Sequence, residues 1–458
     1  MPSTFQAVVM SWSFPPWVTA VNLLTALLYI RGWIALHRVM PGRFTAARLA
    51  SFLGGIAILE ISLASPIDAF DPFLLFDHML QHMFLMMIVP PLVLLGDPAI
   101  PLLHGLPRWA TRNVIGPFLG WRVVRSIGSL LTYPPVALLL ISLAMIGWHL
   151  PAPYELALRS FAWHEAEHAT FLVTSLLFWW PVVQPWPSRP RWNRWTLVIY
   201  LLLADFVNSA LSAFLAFSDR VFYPSYLLVP RLAGISARND QVAAGAMMWV
   251  IGSFAFLIPA VIIVVKLLSP ASPRIERPPQ PARPESRILA AALLFLALIL
   301  PIAALGYSWV APEKIDIDED VVRMQGASGP FRISVFALPD PVPAGDFEVA
   351  TLVLDQATNE VILDAEVEVA LRRADGGSGS PTVARATREQ AVNHLLYAAS
   401  VDLTGPGARE LHITVHRGND EGSLAGKVEV EAGENHWETS HPIEIGGIDC
   451  VARFRGMF

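Results

Sequence analysis

The sequence predicts a membrane all-α bundle of about eight transmembrane helices, followed by a C-terminal all-β domain of immunoglobulin-like sandwich type. Three observations lead to this fold class. Hydrophobic residues make up 54% of the 458 residues and charged residues only 15%, whereas about a quarter of a soluble domain is charged. Long apolar stretches recur through residues 1–310. Short alternating runs replace them in residues 311–458.

The formal net charge of −6 divides unevenly between these two parts. Residues 1–310 carry 20 Lys and Arg against 13 Asp and Glu, a balance of +7. Residues 311–458 carry 12 against 25, a balance of −13. Neither part has the basic excess of a nucleic-acid-binding domain, so we expect no nucleic-acid partner.

Eight apolar stretches approach the length of about 20 residues that a helix needs to cross a bilayer. They are 15–37, 44–65, 72–95, 132–150, 160–183, 194–217, 239–267 and 287–308. Prolines fall mainly at their ends, where proline stops or kinks a helix. We therefore predict a seven-helix membrane domain at 1–268, a Pro-rich cytoplasmic linker at 269–286 and an eighth helix at 287–308.

Loop charge predicts the orientation of these helices. The loops of one set hold 16 Lys and Arg in total and those of the alternate set hold 4. The basic set is 31–48, 96–132, 184–195 and 266–287, and the other is 1–16, 66–77, 149–163 and 218–238. By the positive-inside rule the basic set is cytoplasmic. We expect a multi-pass protein of the bacterial cytoplasmic (inner) membrane, with the N-terminus and the C-terminal domain extracytoplasmic and the lipid bilayer as its surroundings.

Residues 311–458 show apolar and polar residues in alternation, with Gly, Pro, Asp and Asn between the runs. The clearest runs are 331–338, 347–355, 361–371, 394–403, 410–418 and 426–433. Such period-2 alternation is typical of antiparallel strands. Six or seven strands in about 150 residues predict an acidic extracytoplasmic β-sandwich.

Five of the twelve histidines lie where this topology places the outer ends of helices. They are His78, His82, His149, His164 and His168. Residues four apart share one helix face with Cβ atoms about 6 Å apart, so the pairs 78/82 and 164/168 each form a clip of two imidazoles. Ionisable groups at membrane depth usually face a bundle interior or a wet cavity. The spacing therefore favours convergence on one metal over separate histidines satisfied by water or lipid headgroups.

The donor types available favour copper. Cys450 is the only cysteine, which excludes an intrachain disulfide and a thiol-pair copper carrier. Thioether and imidazole donors together suit copper, with Met favouring Cu(I). Accessory candidates are the Met stripe Met79, Met83 and Met86, the ring-orienting carboxylates Asp77, Glu165 and Glu167, and Glu60 near the outer end of the second stretch.

A zinc site is one alternative, because residues 164–168 read H-E-A-E-H. In zinc proteases the H-E-x-x-H pattern supplies two ligands, here His164 and His168, and a general-base Glu, here Glu165. A protease also needs a third ligand in a later motif. Asp205 is the only carboxylate in the middle of a later predicted helix, and its surroundings match no such motif. An intramembrane zinc metalloprotease stays open as an alternative.

Two further alternatives follow from the same histidines. Histidines on neighbouring helices at one depth could ligate haem axially, as in a membrane electron-transfer protein. A copper transporter would need polar residues at several depths, and Glu60, the outer histidines and Asp205 form only a sparse path. Asp205 and Asn208 share a helix face, which favours an interhelical hydrogen bond over an ion pathway.

Three segments resemble the signature segments of a known family. FDHMLQHMFLMMIVPPLVLLGDP, WHLPAPYELAL and HEAEHATFLVTSLLFWWPV occur in this order with their histidines. They are similar to those of the CtaG family of cytochrome c oxidase assembly proteins, in its multi-helix membrane form. The resemblance covers about residues 15–268. The tail segment LLYAASVDLTGPGARELHITV is similar to extracytoplasmic β domains of YtkA or FixH type.

The resemblance implies a role in the maturation of a haem–copper oxidase, with copper handling by the five histidines that match the family's positions. We therefore expect a non-enzymatic membrane assembly factor. It would bind copper, as Cu(I), and deliver it to a cytochrome c oxidase subunit after receiving it from an extracytoplasmic copper donor.

Overall fold

The computed structural model describes residues 10–188, 192–269, 324–336, 342–343, 345–373, 382–403 and 407–431. The predicted linker beyond Ser269 and the predicted eighth helix at 287–308 lie outside these residues. The described chain forms a helical part followed by a two-sheet β domain. This is the architecture that the hydropathy and the strand pattern predict.

The helical part contains long apolar helices joined by short ones. Its helices are α1 (Pro16–Val39), α2 (Ala46–Ala64), α3 (Pro66–Phe70), α4 (Leu75–Met83), α5 (Val89–Leu95), α6 (Ala99–Gly105), α7 (Arg108–Ala110), α8 (Gly116–Gly120), α9 (Arg122–Leu131), α10 (Pro134–Trp148), α11 (Pro151–Leu158), α12 (Phe161–Val183), α13 (Arg194–Phe217), α14 (Ser225–Leu228) and α15 (Ala237–Leu268). Two π-helical turns occupy Phe84–Ile88 and Thr111–Ile115, and a 3₁₀ turn occupies Leu232–Gly234. The first π turn continues α4 directly into α5.

Five helical segments in the described residues are long and apolar enough to cross a membrane. They are Pro16–Val39, Ala46–Phe70, Leu75–Leu95, Arg194–Phe217 and Ala237–Leu268. A sixth results if α9 and α10, which meet at a 70° bend, form one broken span. The chain is thus a multi-pass membrane protein, with fewer spans than the eight predicted.

The lower count has identifiable reasons. Helix α12 has 23 residues, enough to cross a bilayer, but His and Glu side chains in its first two turns lower its mean hydropathy. The stretch predicted at 132–150 begins at the bend before Pro134, where two prolines start a new helix. The stretch at 287–308 lies outside the described residues.

Helices α1 and α6 approach each other closely through a pair of glycines. A Cβ atom added at Gly105 would collide with the carbonyl oxygen of Leu28, and one added at Gly32 would collide with that of Pro101. Small residues at such positions let helix backbones pack directly in a membrane. This contact attaches the first span to the rest of the bundle.

The β domain consists of two sheets. Its strands are β1 (Met324–Ser328), β2 (Phe331–Phe336), β3 (Val342–Pro343), β4 (Gly345–Asp355), β5 (Glu366–Arg373), β6 (Thr382–Ala386), β7 (Tyr397–Leu403), β8 (Gly407–Arg417) and β9 (Asp420–Glu431). The strand orders are β1-β2-β4-β7 and β3-β9-β8-β5-β6, and the pairs are antiparallel apart from β3 with β9. Each of the six predicted runs overlaps one strand, and β1, β3 and β6 are additional.

The four-stranded sheet is buried on both faces. Ile333 and Val349 belong to the core between the two sheets. Phe336, Leu352 and Leu354 lie on the opposite face and belong to the core of the helical part. This double burial explains the continuous run of buried residues at 349–354 of β4, which is typical of strands covered on both sides.

The β domain sits on the end of the bundle where α4 begins. The rings of Phe73 and Phe336 meet edge to face with centroids 6.0 Å apart. Asn393 Nδ2 donates a hydrogen bond of 2.8 Å to the backbone oxygen of Ala69. The domain therefore packs directly beside Asp71 and the segment that leads into α4.

Candidate metal centre

The two predicted histidine clips face each other between α4 and α12. The ring centroids of His78 and His82 are 4.4 Å apart, and those of His164 and His168 are 4.2 Å apart. Across the helix pair, His78 lies 5.2 Å from His164, and His82 lies 5.4 Å from His168. The i,i+4 spacing on two packed helices thus produces one four-ring cluster.

His149 joins this cluster from the C-terminal end of α10. Its ring centroid lies 6.2 Å from that of His82. Its Nδ1 lies 2.7 Å from the carbonyl oxygen of Met145. Because a carbonyl only accepts, Nδ1 carries the proton and Nε2 keeps its lone pair. A histidine that ligates a metal through one nitrogen is commonly oriented in this way.

Two carboxylates lie between the rings. The oxygens of Glu167 are 3.7 Å from His78 Nε2 and 3.7 Å from His82 Nε2. Asp71 Oδ2 is 3.8 Å from His78 Nδ1 and 3.5 Å from His164 Nε2. The 3.5 Å distance between Asp71 and His164 is at the limit for a hydrogen bond, and the other three distances are too long.

The cluster contains two sets of potential metal donors. One consists of His78, His82 and His168, and the other of Asp71, His78 and His164, with the donor atoms of each set within 4.8 Å of one another. Tetrahedral coordination with bonds of about 2.0–2.1 Å separates neighbouring ligand atoms by roughly 3.3 Å. The donors are therefore close to the spacing that one ion would impose.

The polar atoms of the cluster are buried without hydrogen-bond partners in the part of the chain that the structure describes. These atoms are both ring nitrogens of His78 and His82, Nε2 of His149, His164 and His168, and both oxygens of Glu167. His78, His82 and Glu167 are fully buried. Buried polar groups are normally satisfied, and a carboxylate buried without a partner costs several kcal/mol. A bound cation would satisfy the nitrogens and the carboxylate together.

A group of tyrosines supports the cluster from the loop side. Tyr223 donates a 3.0 Å hydrogen bond to the carbonyl oxygen of His149, and Tyr226 donates one of 3.1 Å to that of Asp71. Tyr154 stacks on Tyr223 with ring centroids 3.8 Å apart. Burial raises the pKa of the Tyr154 and Tyr223 phenols, so both stay neutral. These residues fix the backbone at two positions of the cluster and were not predicted.

The predicted accessory carboxylates lie in different places. Glu60 accepts hydrogen bonds of 2.5 Å from Thr19 and 2.7 Å from Asn22, so it links α2 to α1. Asp77 interacts electrostatically with Asp240 on α15. Neither belongs to the two donor sets of the described chain.

The H-E-x-x-H pattern does not form a protease-like arrangement. Glu165, the residue that would act as general base, belongs to neither donor set among the described residues. Glu167, which the protease motif leaves unspecified, lies between the rings of His78 and His82 instead.

The predicted methionines and Asn208 make packing and hydrogen-bond contacts within the helical part. Met79, Met83 and Met86 are fully buried in the core that α4, α5 and α12 share. Asn208 Nδ2 donates to the backbone oxygen of Met248 at 3.4 Å, so the predicted interhelical hydrogen bond joins α13 to α15.

Comparison with known proteins identifies the helical part. The family model described as cytochrome c oxidase caa3 assembly factor matches residues 27–269, which include the whole histidine cluster. Uncharacterized proteins of Mycobacterium bovis and Mycobacterium tuberculosis are 27% identical over 274 residues, which is 58% of this chain and 40% of theirs. One of Mycobacterium leprae is 27% identical over 265 residues. The match thus spans about two fifths of these relatives' length. No solved structure matches the chain.

Proposed function

The chain belongs to the cytochrome c oxidase caa3 assembly factor family, and we propose that within this role its buried histidine cluster carries copper to an oxidase subunit. The observation that carries the proposal is the convergence of five imidazoles and two carboxylates, in which the described residues offer no hydrogen-bond partner to the Nε2 atoms of the histidines or to the oxygens of Glu167. Imidazole suits copper, zinc, iron and nickel alike. We choose copper because the proposed client is a haem–copper oxidase.

The chemistry required is ligand exchange rather than catalysis. An incoming donor on the oxidase subunit would displace one imidazole at a time, so the ion never becomes free. The exchange would begin at His164, whose side chain is 13% exposed, because His78 and His82 are fully buried. No bond of an organic substrate is made or broken, so we propose a carrier rather than an enzyme.

The surroundings of the cluster fit an extracytoplasmic exchange site. The loops on the opposite side of the bundle are the basic ones, and the positive-inside rule therefore supports our proposal that the cluster lies toward the outer side. The acidic β domain packs on the same end of the bundle. We propose that the oxidase subunit and an extracytoplasmic copper donor approach there. Cu(I), with a contribution from the buried methionines, remains our choice of oxidation state.

The test is the copper content of the detergent-purified protein and of a variant with His78, His82, His164 and His168 all changed to Ala. We expect the variant to lose the bound copper and to leave cells with less active oxidase. His104→Ala is the matched control, because this exposed histidine bonds a backbone carbonyl far from the cluster. Full copper content and oxidase activity in the fourfold variant would refute the proposal.

Two further measurements separate the alternatives. A Soret band in the absorption spectrum of the purified protein would indicate haem and would count against a copper carrier. Uptake of copper into sealed vesicles that contain the protein would indicate transport. Zinc in place of copper in the protein isolated from cells would overturn the choice of metal.

A further inference from the structure

We propose that the histidine cluster contains two adjacent metal subsites that share His78, rather than one site. The inference deepens the proposed function and rests on it. It begins with the two ring nitrogens of His78, which face different carboxylates. Nδ1 lies 3.8 Å from Asp71 Oδ2, and Nε2 lies 3.7 Å from Glu167 Oε2. Both nitrogens are buried without a hydrogen-bond partner among the described residues.

The contacts of these groups form one continuous row. It runs His164, Asp71, His78, Glu167, His82, with successive nitrogen–oxygen distances of 3.5, 3.8, 3.7 and 3.7 Å. Imidazoles and carboxylates therefore alternate along its whole length. Each of these distances is near the separation of two ligand atoms on one metal ion. All of them except the His164–Asp71 distance are too long for a hydrogen bond. A single ion cannot bind all five groups. His78 is the central residue, and its two ring nitrogens face different carboxylates on opposite sides of the ring.

The row divides into an outer and an inner subsite. The outer subsite consists of Asp71, His164 and Nδ1 of His78. The donor set His78, His82 and His168 forms the inner subsite. We add Glu167 to it, because its oxygens lie 3.7 Å from Nε2 of His78 and of His82. Each subsite thus has a carboxylate of its own, which offsets one positive charge in a buried setting.

Simultaneous loading requires a defined proton balance. A neutral imidazole has one proton and one lone pair, so it can serve only one metal. When the second ion binds, the remaining N–H proton of His78 leaves to solvent, and the imidazolate bridges the two ions through its two nitrogens. No oxidant or reductant is consumed in this step.

The burial of the row sets the order in which the subsites are reached. The side chain of His164 is 13% exposed and that of Asp71 is 6% exposed, whereas His78, His82 and Glu167 are fully buried. Because His164 is the most exposed group of the row, we place the entry and release of the ion at the outer subsite. The outer subsite receives and releases the ion, and the inner subsite stores it.

The experiment is a titration of the full-length, detergent-purified, metal-free protein with Cu(II), read as copper retained after desalting. We expect two equivalents in the unaltered protein, one in Asp71→Asn and one in His82→Gln. Asp68→Asn is the matched control, because Asp68 lies in the same segment, and the Asn oxygen can still accept the 2.9 Å hydrogen bond from Gln81. This control should retain two equivalents.

Electron paramagnetic resonance of the same samples provides a second readout that does not depend on the variants folding identically. Two Cu(II) ions joined by an imidazolate couple magnetically, so the unaltered protein should show less signal than its copper content, and Asp71→Asn should show its full signal. One equivalent with full signal in the unaltered protein would overturn the two-subsite inference and leave the proposed function standing. Absence of copper both in this titration and in the protein purified from cells would overturn both.

Discussion

Replacing Glu167 by Gln separates a metal-binding role of this carboxylate from a purely structural one. Glu167 is fully buried, and its oxygens lie 3.7 Å from nitrogens of His78 and His82 without a hydrogen bond to any described residue. A buried charge without a partner costs several kcal/mol. Gln keeps the shape and removes the charge. We therefore expect the metal-free variant to unfold at a temperature no lower than that of the unaltered protein.

Copper binding should change in the opposite direction. Altering a residue that supports a metal typically weakens affinity by about 10–100-fold. Copper at about 100 times its Kd stabilises the folded state by about 2.7 kcal/mol. At the same concentration, a site weakened 100-fold gives only about 0.4 kcal/mol. The part of the copper-dependent shift in unfolding temperature that the inner subsite supplies should thus nearly vanish in the variant.

The assay is thermal unfolding in detergent with and without copper, followed by the fluorescence of the chain's 15 tryptophans. Glu165→Gln is the matched control, because Glu165 lies on the same helix but is only partly buried, whereas Glu167 is fully buried among the histidines. It should keep the full copper shift. An undiminished shift in Glu167→Gln, or a metal-free variant that is strongly destabilised, would refute the reasoning.

Three other predictions concern stability. Gly105→Ala should destabilise the α1–α6 contact by about 1–3 kcal/mol, because its Cβ would meet the Leu28 carbonyl; Gly147→Ala has open space and should be neutral or stabilising in the same thermal assay. Phe336→Ala should cost about 3–5 kcal/mol at the domain contact, and unchanged resistance of the β domain to proteolysis would contradict this. Burial raises the pKa of Tyr397 to about 12, above the usual value of about 10. The unfolded phenol ionises first, so Tyr397 should lower the stability measured by urea unfolding by about 2 kcal/mol from pH 10 to 12. Tyr397→Phe should lessen the alkaline fall in stability by this amount, and an unchanged fall would contradict the prediction.

Helical periodicity in the sequence predicts the two histidine pairs of the cluster. The pairs 78/82 and 164/168 need only an α-helix to bring their rings together, and hydropathy places their helices in one bundle. Periodicity does not separate the two glutamates of α12. Glu167 lies about 60° from His164 and about 100° from His168 around the helix axis, and Glu165 lies about 100° from His164 and about 60° from His168.

The rest of the candidate site depends on contacts that have no periodic trace in the sequence. Asp71 precedes α4 by a non-helical turn, so its position relative to His78 depends on how the chain packs there. Tyr223 and Tyr226 come from a segment about 70 residues after His149, and only the tertiary fold brings them together. The count of spans differs for a related reason. Mean hydropathy is an average over a segment. It therefore does not distinguish a membrane-spanning helix with polar residues at one end from a helix that ends before crossing the membrane.

The packing of the β domain on the helical part affects the order in which the protein folds during synthesis. His394 Nδ1 donates a 3.1 Å hydrogen bond to the backbone oxygen of Trp12, a residue 382 positions earlier in the chain. Asn393 reaches Ala69 across 324 positions. Contacts of such sequence separation form late, because the intervening chain must first exist and be brought back. The ribosome therefore completes every span of the helical part before the strands that cover its end are made. In that interval the apolar surface around Phe73 has no β domain to cover it, which is the condition in which newly made chains aggregate or need a chaperone.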